Sequence, residues 1–445
     1  MRGRAAFVVA LAFLAVATWA SAALAGQSAP SLPNRDPATG LADSAALRAT
    51  VFGTPPQDIA TLPETVPLQE INIALPWARQ IPEVFWFDRR LRVWFSAQEK
   101  PAPLAIVISG VGSDGNTANL KVLRAVLYGA GYHVLTMPSP TFPGFIVAAS
   151  STGVAGDLIQ DGRDLYASMQ EIISHLPKHA DITDVDILGY SLGGANAAVV
   201  KSIADAGGKL KIHRAVMINP PVSLFASVAR LDELFALSIG SGDAGVERLY
   251  RRLYARLANL FRTTAEVQID ESNMLASVAA VLKSDADFSA AIALTFRIAL
   301  MNMFFAGDLY ARTGVVVDPA NPPHVGDSLE ETARILRDKP FADYFAEVFA
   351  PYYLAHRANS TVESLKADNR LDIIASALRA NPDYFGQTNN DDVILDRTEL
   401  AWLRTTLGGR LAVYDHGGHL GNLGDRIQVA DMLDMLAGRW QAVKQ

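Results

Sequence analysis

No cysteine occurs anywhere in the 445 residues. That absence removes thiolate nucleophiles, thiolate metal sites, disulfide bonds and a lipid-anchored N-terminal cysteine. It does not argue against export, because a chain without thiols neither needs an oxidising compartment nor is harmed by one. Charge is also sparse: 19% of residues are charged, the formal net charge is −7, and there is no long Lys/Arg run. A mildly acidic chain of this kind gives no reason to expect a nucleic-acid partner. Histidine numbers only eight, which narrows any search for a general base. Apolar residues, by contrast, make up 50% of the chain, the composition of a globular protein with a large core. The length suits roughly two or three domains, or one large domain with an insertion.

The N-terminus concentrates part of that apolar content. Arg2 and Arg4 open the chain, Ala5 to Ala17 is unbroken apolar sequence, and Ala23-Leu24-Ala25 is a small-x-small site. Residues 1–25 therefore read as a signal peptide, with the mature chain starting at Gly26 and an exported, periplasmic or secreted protein as the expectation. The alternative is an N-terminal membrane anchor, since the run extended to Ala25 is long enough to span a bilayer. Residues 26–65, rich in Pro, Ala, Thr and Asp without a clear period, read as an arm.

From residue 66 the pattern becomes regular. Leu68–Leu75 and Leu91–Ala97 alternate apolar and polar residues, as strands with one wet face do, and suit the antiparallel edge of a larger sheet. Leu104–Ile108, His133–Met137, Val185–Gly189 and Arg214–Ile218 are short strands separated by helical stretches near Thr117–Gly129, Leu158–Leu176 and from Leu192. That alternation predicts an α/β fold, a mostly parallel sheet covered by helices on both faces. The rhythm stops at Pro221. Residues 221–378 are helical in pattern and read as an inserted cap between a first core segment, 66–220, and a second, 379–445. In the second segment Asn381–Gln387 and Arg410–Tyr414 read as strands, and a helix from Arg426 closes the chain.

The chemistry gathers at three places. Gly189-Tyr190-Ser191-Leu192-Gly193 fits G-x-S-x-G, with a strand entering it and a helix leaving it, the context of a nucleophile elbow. A turn this sharp strains the serine backbone and leaves no room for side chains two positions to either side, so glycines stand there. Ser191 is the predicted nucleophile. The helix N-terminus offers the Leu192 N–H to a developing oxyanion, and Val111, in the glycine-rich loop Ser109–Gly115, is the expected second donor. A serine needs a base. Tyr414-Asp415-His416-Gly417-Gly418-His419 lies between a strand and the last helix, and His419, after two glycines, is the better placed histidine, with His416, nearer the strand, as its rival. The acid is expected at Asn389-Asn390-Asp391-Asp392. Asp392, followed by apolar Val393 and Ile394, is preferred over Asp391, and Asp396 is a third choice. The order Ser, Asp, His differs from those of chymotrypsin and subtilisin.

On these residues the chain resembles the α/β-hydrolase superfamily over about residues 100–220 and 380–440. The family's acid usually stands third after a glycine; here Asn389 replaces that glycine, and third after it is Asp392. The family's His-Gly pairs are replaced by Ser109-Gly110 in the oxyanion loop and Thr388-Asn389 in the acid loop. The resemblance implies an eight-stranded, mostly parallel sheet and acyl transfer through Ser191, His419 and Asp392, with neither metal nor organic cofactor. The fold alone does not choose among esterases, lipases, thioesterases, peptidases and acyltransferases. The apolar cap segment Ala291–Ala306 points to a small-molecule or lipid-like ester with an apolar acyl chain. A peptidase, amidase or acyltransferase with the same triad, and a non-catalytic envelope protein on this scaffold, are the alternatives. Arg297 and Asn302 argue against a membrane span in that segment. Leu249, Leu253, Leu257 and Leu260 share a helical face beside Arg251, Arg252, Arg256 and Arg262; this stretch reads as an amphipathic cap helix, or as a site of transient membrane-surface contact.

Overall fold

The computed structural model describes residues 43–440 apart from 78, 179, 240–281 and 283. The leader, the first part of the arm and the Leu249–Arg262 stretch lie outside the described residues.

Eight strands form one sheet: β1 (Gln69–Ile73), β2 (Leu91–Ser96), β3 (Ala102–Ile108), β4 (His133–Met137), β5 (Ile182–Tyr190), β6 (Ala215–Ile218), β7 (Tyr384–Asn389) and β8 (Leu411–Tyr414). Their order is β1-β2-β4-β3-β5-β6-β7-β8. Strand β2 runs antiparallel to both its neighbours, and every pairing from β4 to β8 is parallel. This is the mostly parallel sheet that the strand pattern led us to expect, with the two alternating strands at the antiparallel edge.

The period-two alternation of each central strand divides its side chains between two cores. Leu104, Ile106, Ile108, Ile187, Ala215 and Met217 enter one of them. Ala105, Val107, Leu188, Val216 and Ile218 enter the other. The first core is closed by helices α1 (Ser44–Phe52), which brings Ala46 and Leu47, and α4 (Leu158–Ser174) and α5 (Leu192–Asp205). The second is closed by α2 (Ala118–Gly129) and by α8 (Arg426–Leu436). Burial on both faces explains why these strands read as continuous apolar runs.

Two expectations change. The arm contains α1, capped by Asp43 and buried through Ala46, Leu47 and Val51. At nine residues, mostly small or β-branched, it shows little periodicity, and its order comes from docking on the core. The strand expected at Asn381–Gln387 is β7, Tyr384–Asn389. Asn381 instead begins a turn in which its Oδ1 accepts the Asp383 N–H at 2.9 Å, a local bond that competes with strand pairing.

Between β6 and β7 the described regular elements are helical. Helices α6 (Leu224–Ile239) and α7 (Asp285–Ala311) pack on each other, and α7 also touches α1 and α3 (Pro143–Ala148). Helix α7 is long and apolar enough to cross a membrane by composition, but 72% of its most apolar window is buried inside the chain. A helix apolar on every side is what an interior position demands. Arg297, near its middle, is held there by Asp232 of α6 at 3.0 Å and by the Lys339 carbonyl at 2.7 Å. A third cluster joins α7 to the aromatic run Tyr344, Phe345, Phe349 and Tyr353 and to Phe85.

Candidate active site

At the end of β5 the chain turns sharply into α5, and Ser191 at the turn has φ 53° and ψ −130°. Side chains would not fit around it. A Cβ on Gly189 would lie 2.1 Å from the Gly193 oxygen, and one on Gly193 would lie 2.2 Å from the Ile108 oxygen. The strained serine is held by its own N–H, which donates to the Ile218 carbonyl of β6 at 2.8 Å. Its side chain therefore stands clear of the sheet at the C-terminal ends of the strands.

His419 meets it there. His419 Nε2 is 2.9 Å from Ser191 Oγ, and His419 Nδ1 is 3.0 and 3.2 Å from the two oxygens of Asp392. All three side chains are buried, at 6% exposure or less. With the Asp392 carboxylate facing Nδ1, the neutral imidazole carries its proton there and leaves Nε2 as acceptor for the serine hydroxyl. Asp392 is itself restrained: Oδ1 accepts the Ile394 N–H at 3.1 Å and Oδ2 accepts Asn219 Nδ2 at 2.8 Å.

The other sequence candidates lie close by in different settings. Asp391 points to the glycines of the histidine loop and accepts the N–H groups of Gly418 at 2.8 Å and Gly417 at 3.2 Å. Burial pushes its carboxyl up, and those two donors oppose the shift. Asp396 caps the helix Arg397–Leu407 and pairs with Arg230 at 2.6 Å. His416 is exposed.

Val111 and Leu192 line the same cavity as Ser191. Leu192 is the first residue of α5, so its N–H has no intrahelical acceptor. In the facing loop the next two N–H groups are committed, Gly112 to Thr141 Oγ1 at 2.8 Å and Ser113 to the Gly110 carbonyl at 3.2 Å. Gly110 has to be glycine, since a Cβ there would lie 2.8 Å from the Tyr190 ring and 3.3 Å from the Ser191 Cβ.

Three positioning contacts went unseen in the sequence. Thr50 of α1 accepts the His419 N–H at 2.8 Å while donating to the Ala46 carbonyl at 2.7 Å. Thr141 pins the Gly112 end of the Ser109–Gly115 loop. Asn219, just past β6, holds Asp392. Each is an ordinary polar residue near an element end, and no short-range pattern sets it apart.

Above Ser191 opens a cavity of about 90 Å³. Its roof comes from α6, α7 and the aromatic run, including Phe225, Phe296, Leu300, Phe341 and Phe345. Phe225 and Phe345 meet edge to face with centroids 4.1 Å apart. One ion pair faces the cavity, Arg297 with Asp232. Burial raises the Asp232 carboxyl, and Arg297 and the Phe341 N–H oppose that. Among the described residues no group of three or more His, Asp or Glu side chains could hold a metal ion.

No family model and no curated protein sequence matches the chain. Solved structures resemble it at low identity. Est1E from Butyrivibrio proteoclasticus is 16% identical over 36% of this chain and 55% of that one, with a TM-score of 0.26, so the chain spans little more than half its length. An esterase of Pyrococcus furiosus is 10% identical over 87% of this chain and 97% of that one, with a TM-score of 0.41. The acylaminoacyl peptidase of Pyrococcus horikoshii is 11% identical over 86% of this chain and 43% of that one, with a TM-score of 0.41.

Proposed function

We propose that the protein is a serine hydrolase of the α/β-hydrolase type that cleaves a carboxylic ester carrying an apolar acyl chain. The observation that carries this reading is the unbroken line Ser191–His419–Asp392 at the floor of an apolar cavity. Ser191 Oγ attacks the carbonyl carbon as its proton passes to His419 Nε2. Asp392 stabilises the imidazolium, and the Val111 and Leu192 N–H groups receive the oxyanion. His419 then gives the proton to the departing alcohol. Water, deprotonated by the same nitrogen, releases the acid from Ser191. The acyl chain lies against the phenylalanines of the roof. Ester is favoured over amide by that wall, in which, among the described residues, the charged groups Arg297 and Asp232 pair with each other.

A fluorophosphonate probe and a series of p-nitrophenyl esters test both parts. The probe is expected on Ser191 in the native protein and nowhere in Ser191→Ala, with turnover lower in that variant by roughly 10⁴-fold or more. A folded protein in which Ser191 is never labelled would end the catalytic reading. Faster turnover of acetyl than of medium-chain esters would end the acyl-chain reading and leave the hydrolase reading standing.

A further inference from the structure

We infer that Asn219 is a positioning residue of this site, holding the Asp392 carboxylate turned towards His419. The inference rests on the serine-hydrolase reading above and adds a residue that takes no part in the proton transfers themselves. Three observations bring Asn219 forward. It is fully buried, at 0% exposure. Its backbone lies in the left-handed region at φ 46°, a conformation that Asn tolerates better than most residues. And its side chain reaches the carboxylate oxygen that His419 holds less closely, with Nδ2 2.8 Å from Asp392 Oδ2 against 3.2 Å for His419 Nδ1.

The orientation of the amide follows from chemistry. An ionised carboxylate only accepts, so the amide face turned to Asp392 has to be the NH₂. The cost of that choice is visible on the other side, where Asn219 Oδ1 is buried without a hydrogen-bond partner. A buried orphan oxygen is unfavourable, and here it accompanies a charge-assisted bond, which is the stronger kind. The backbone ties the residue to both ends of the triad. Asn219 N–H donates to the Gln387 carbonyl of β7 at 2.7 Å, and the preceding Ile218 carbonyl accepts the Ser191 N–H at 2.8 Å. Two consecutive residues at the end of β6 thus hold the nucleophile's backbone and the acid's side chain. With Oδ2 occupied and Oδ1 shared between the Ile394 N–H and His419 Nδ1, the carboxylate has no free rotation left.

Removing the donor has a definite sign. The positive end of the amide dipole favours the state in which the Asp392–His419 pair carries its negative charge. Without it the pair keeps a proton to higher pH, and the acid limb of the pH–rate profile moves up. Among the described residues, the other charged or titratable groups packed nearby are Asp391 and His416 on the two loops, and Arg230 with Asp396 and Glu399 beside Ile394. Asp391 is engaged by Gly417 and Gly418, Arg230 pairs with both Asp396 and Glu399, and His416 is exposed. None of them replaces the amide.

Two variants of the full-length protein test this. Asn219→Gly removes the donor and suits the left-handed backbone. Asn219→Asp keeps the shape and places a second carboxylate beside the first. Both should lose roughly ten- to hundredfold in kcat with KM little changed, and the acid limb should move to higher pH, further in Asn219→Asp. The inference is overturned if Asn219→Gly melts like the wild type and keeps its rate and limb, or if it loses rate with the limb unmoved, which is the mark of a merely structural role. Should Asn219→Gly fail to fold, the limb of Asn219→Asp decides by the same criterion. Absence of fluorophosphonate labelling on wild-type Ser191 would instead defeat the hydrolase reading underneath.

Discussion

The floor and the roof of the cavity are held by different physics. On the floor, Ser191, His419 and Asp392 stand on loops at strand ends, and hydrogen bonds of 2.8 to 3.1 Å from the sheet, from α1 and from one another restrain them. The backbone there leaves no slack: a Cβ on Gly189, Gly193 or Gly418 would come within 2.1 to 2.2 Å of a carbonyl oxygen. On the roof, the side chains of α6, α7 and the aromatic run meet the cavity mainly through volume, with Arg297–Asp232 as the ion pair facing it. Direction governs the floor and bulk governs the roof. Directional constraints tolerate few residue types, whereas an apolar wall accepts many combinations of similar volume.

The sharpest way to break this contrast is at the paired aspartates, adjacent in sequence but assigned to different partners. Asp392→Asn should lower kcat/KM by about 10⁴-fold, because an amide no longer favours the needed tautomer or stabilises the imidazolium. Asp391→Asn keeps one acceptor for the glycine N–H groups and should lose less than about tenfold. Steady-state kinetics on one ester substrate measures both, and equal losses would erase the distinction drawn between them.

A smaller, selective effect is expected on the roof. Val228 lines the cavity and is half-buried. Val228→Trp should take room from the acyl chain and leave the floor untouched. With about 0.8 kcal/mol per buried methylene, excluding two of them lowers kcat/KM for medium-chain esters by about tenfold. The rate on the acetyl ester should be unchanged. A loss that is equal at every chain length would mean that roof and floor are mechanically coupled.

A further effect concerns stability and leaves both surfaces alone. Asp186, 2% exposed in β5, has its carboxyl raised by burial to about 6, against the opposing Arg214 N–H and guanidinium. A raised acid binds its proton more tightly in the folded chain. Its contribution is therefore complete below the ordinary carboxylate value and is lost as pH climbs towards 6. The difference corresponds to roughly 2–3 kcal/mol. Asp186→Asn should flatten that part of the stability curve, as followed by denaturant melts between about pH 4 and pH 7, without changing the ester chain-length profile. A curve that keeps its slope would assign the pH dependence elsewhere.

The same contrast explains what was legible in the sequence. The sheet could be read because strands buried on both faces are continuous apolar runs, and the elbow because strand, turn and helix are contiguous. Asp392 could be preferred over Asp391 only through the apolar Val393-Ile394 that follows, since both lie just past the same strand and direction in space is what distinguishes them. Asn219, Thr50 and Thr141 were invisible because the partner each one serves is at least 29 residues away. Helix α1 was passed over as an arm because its small residues gain their order by docking against the core rather than from any amphipathic stripe of their own.

That docking has a consequence for how the molecule comes into being. Ser191 and His419 are 228 positions apart, and His419 and Thr50 are 369 apart. Contacts this distant in sequence close late. A chain that ends before the Gly417-Gly418 loop lacks the imidazole that faces Ser191 Oγ at 2.9 Å. Residues near 50 and near 419 meet at one histidine loop, so the geometry that faces Ser191 is set only once both have docked.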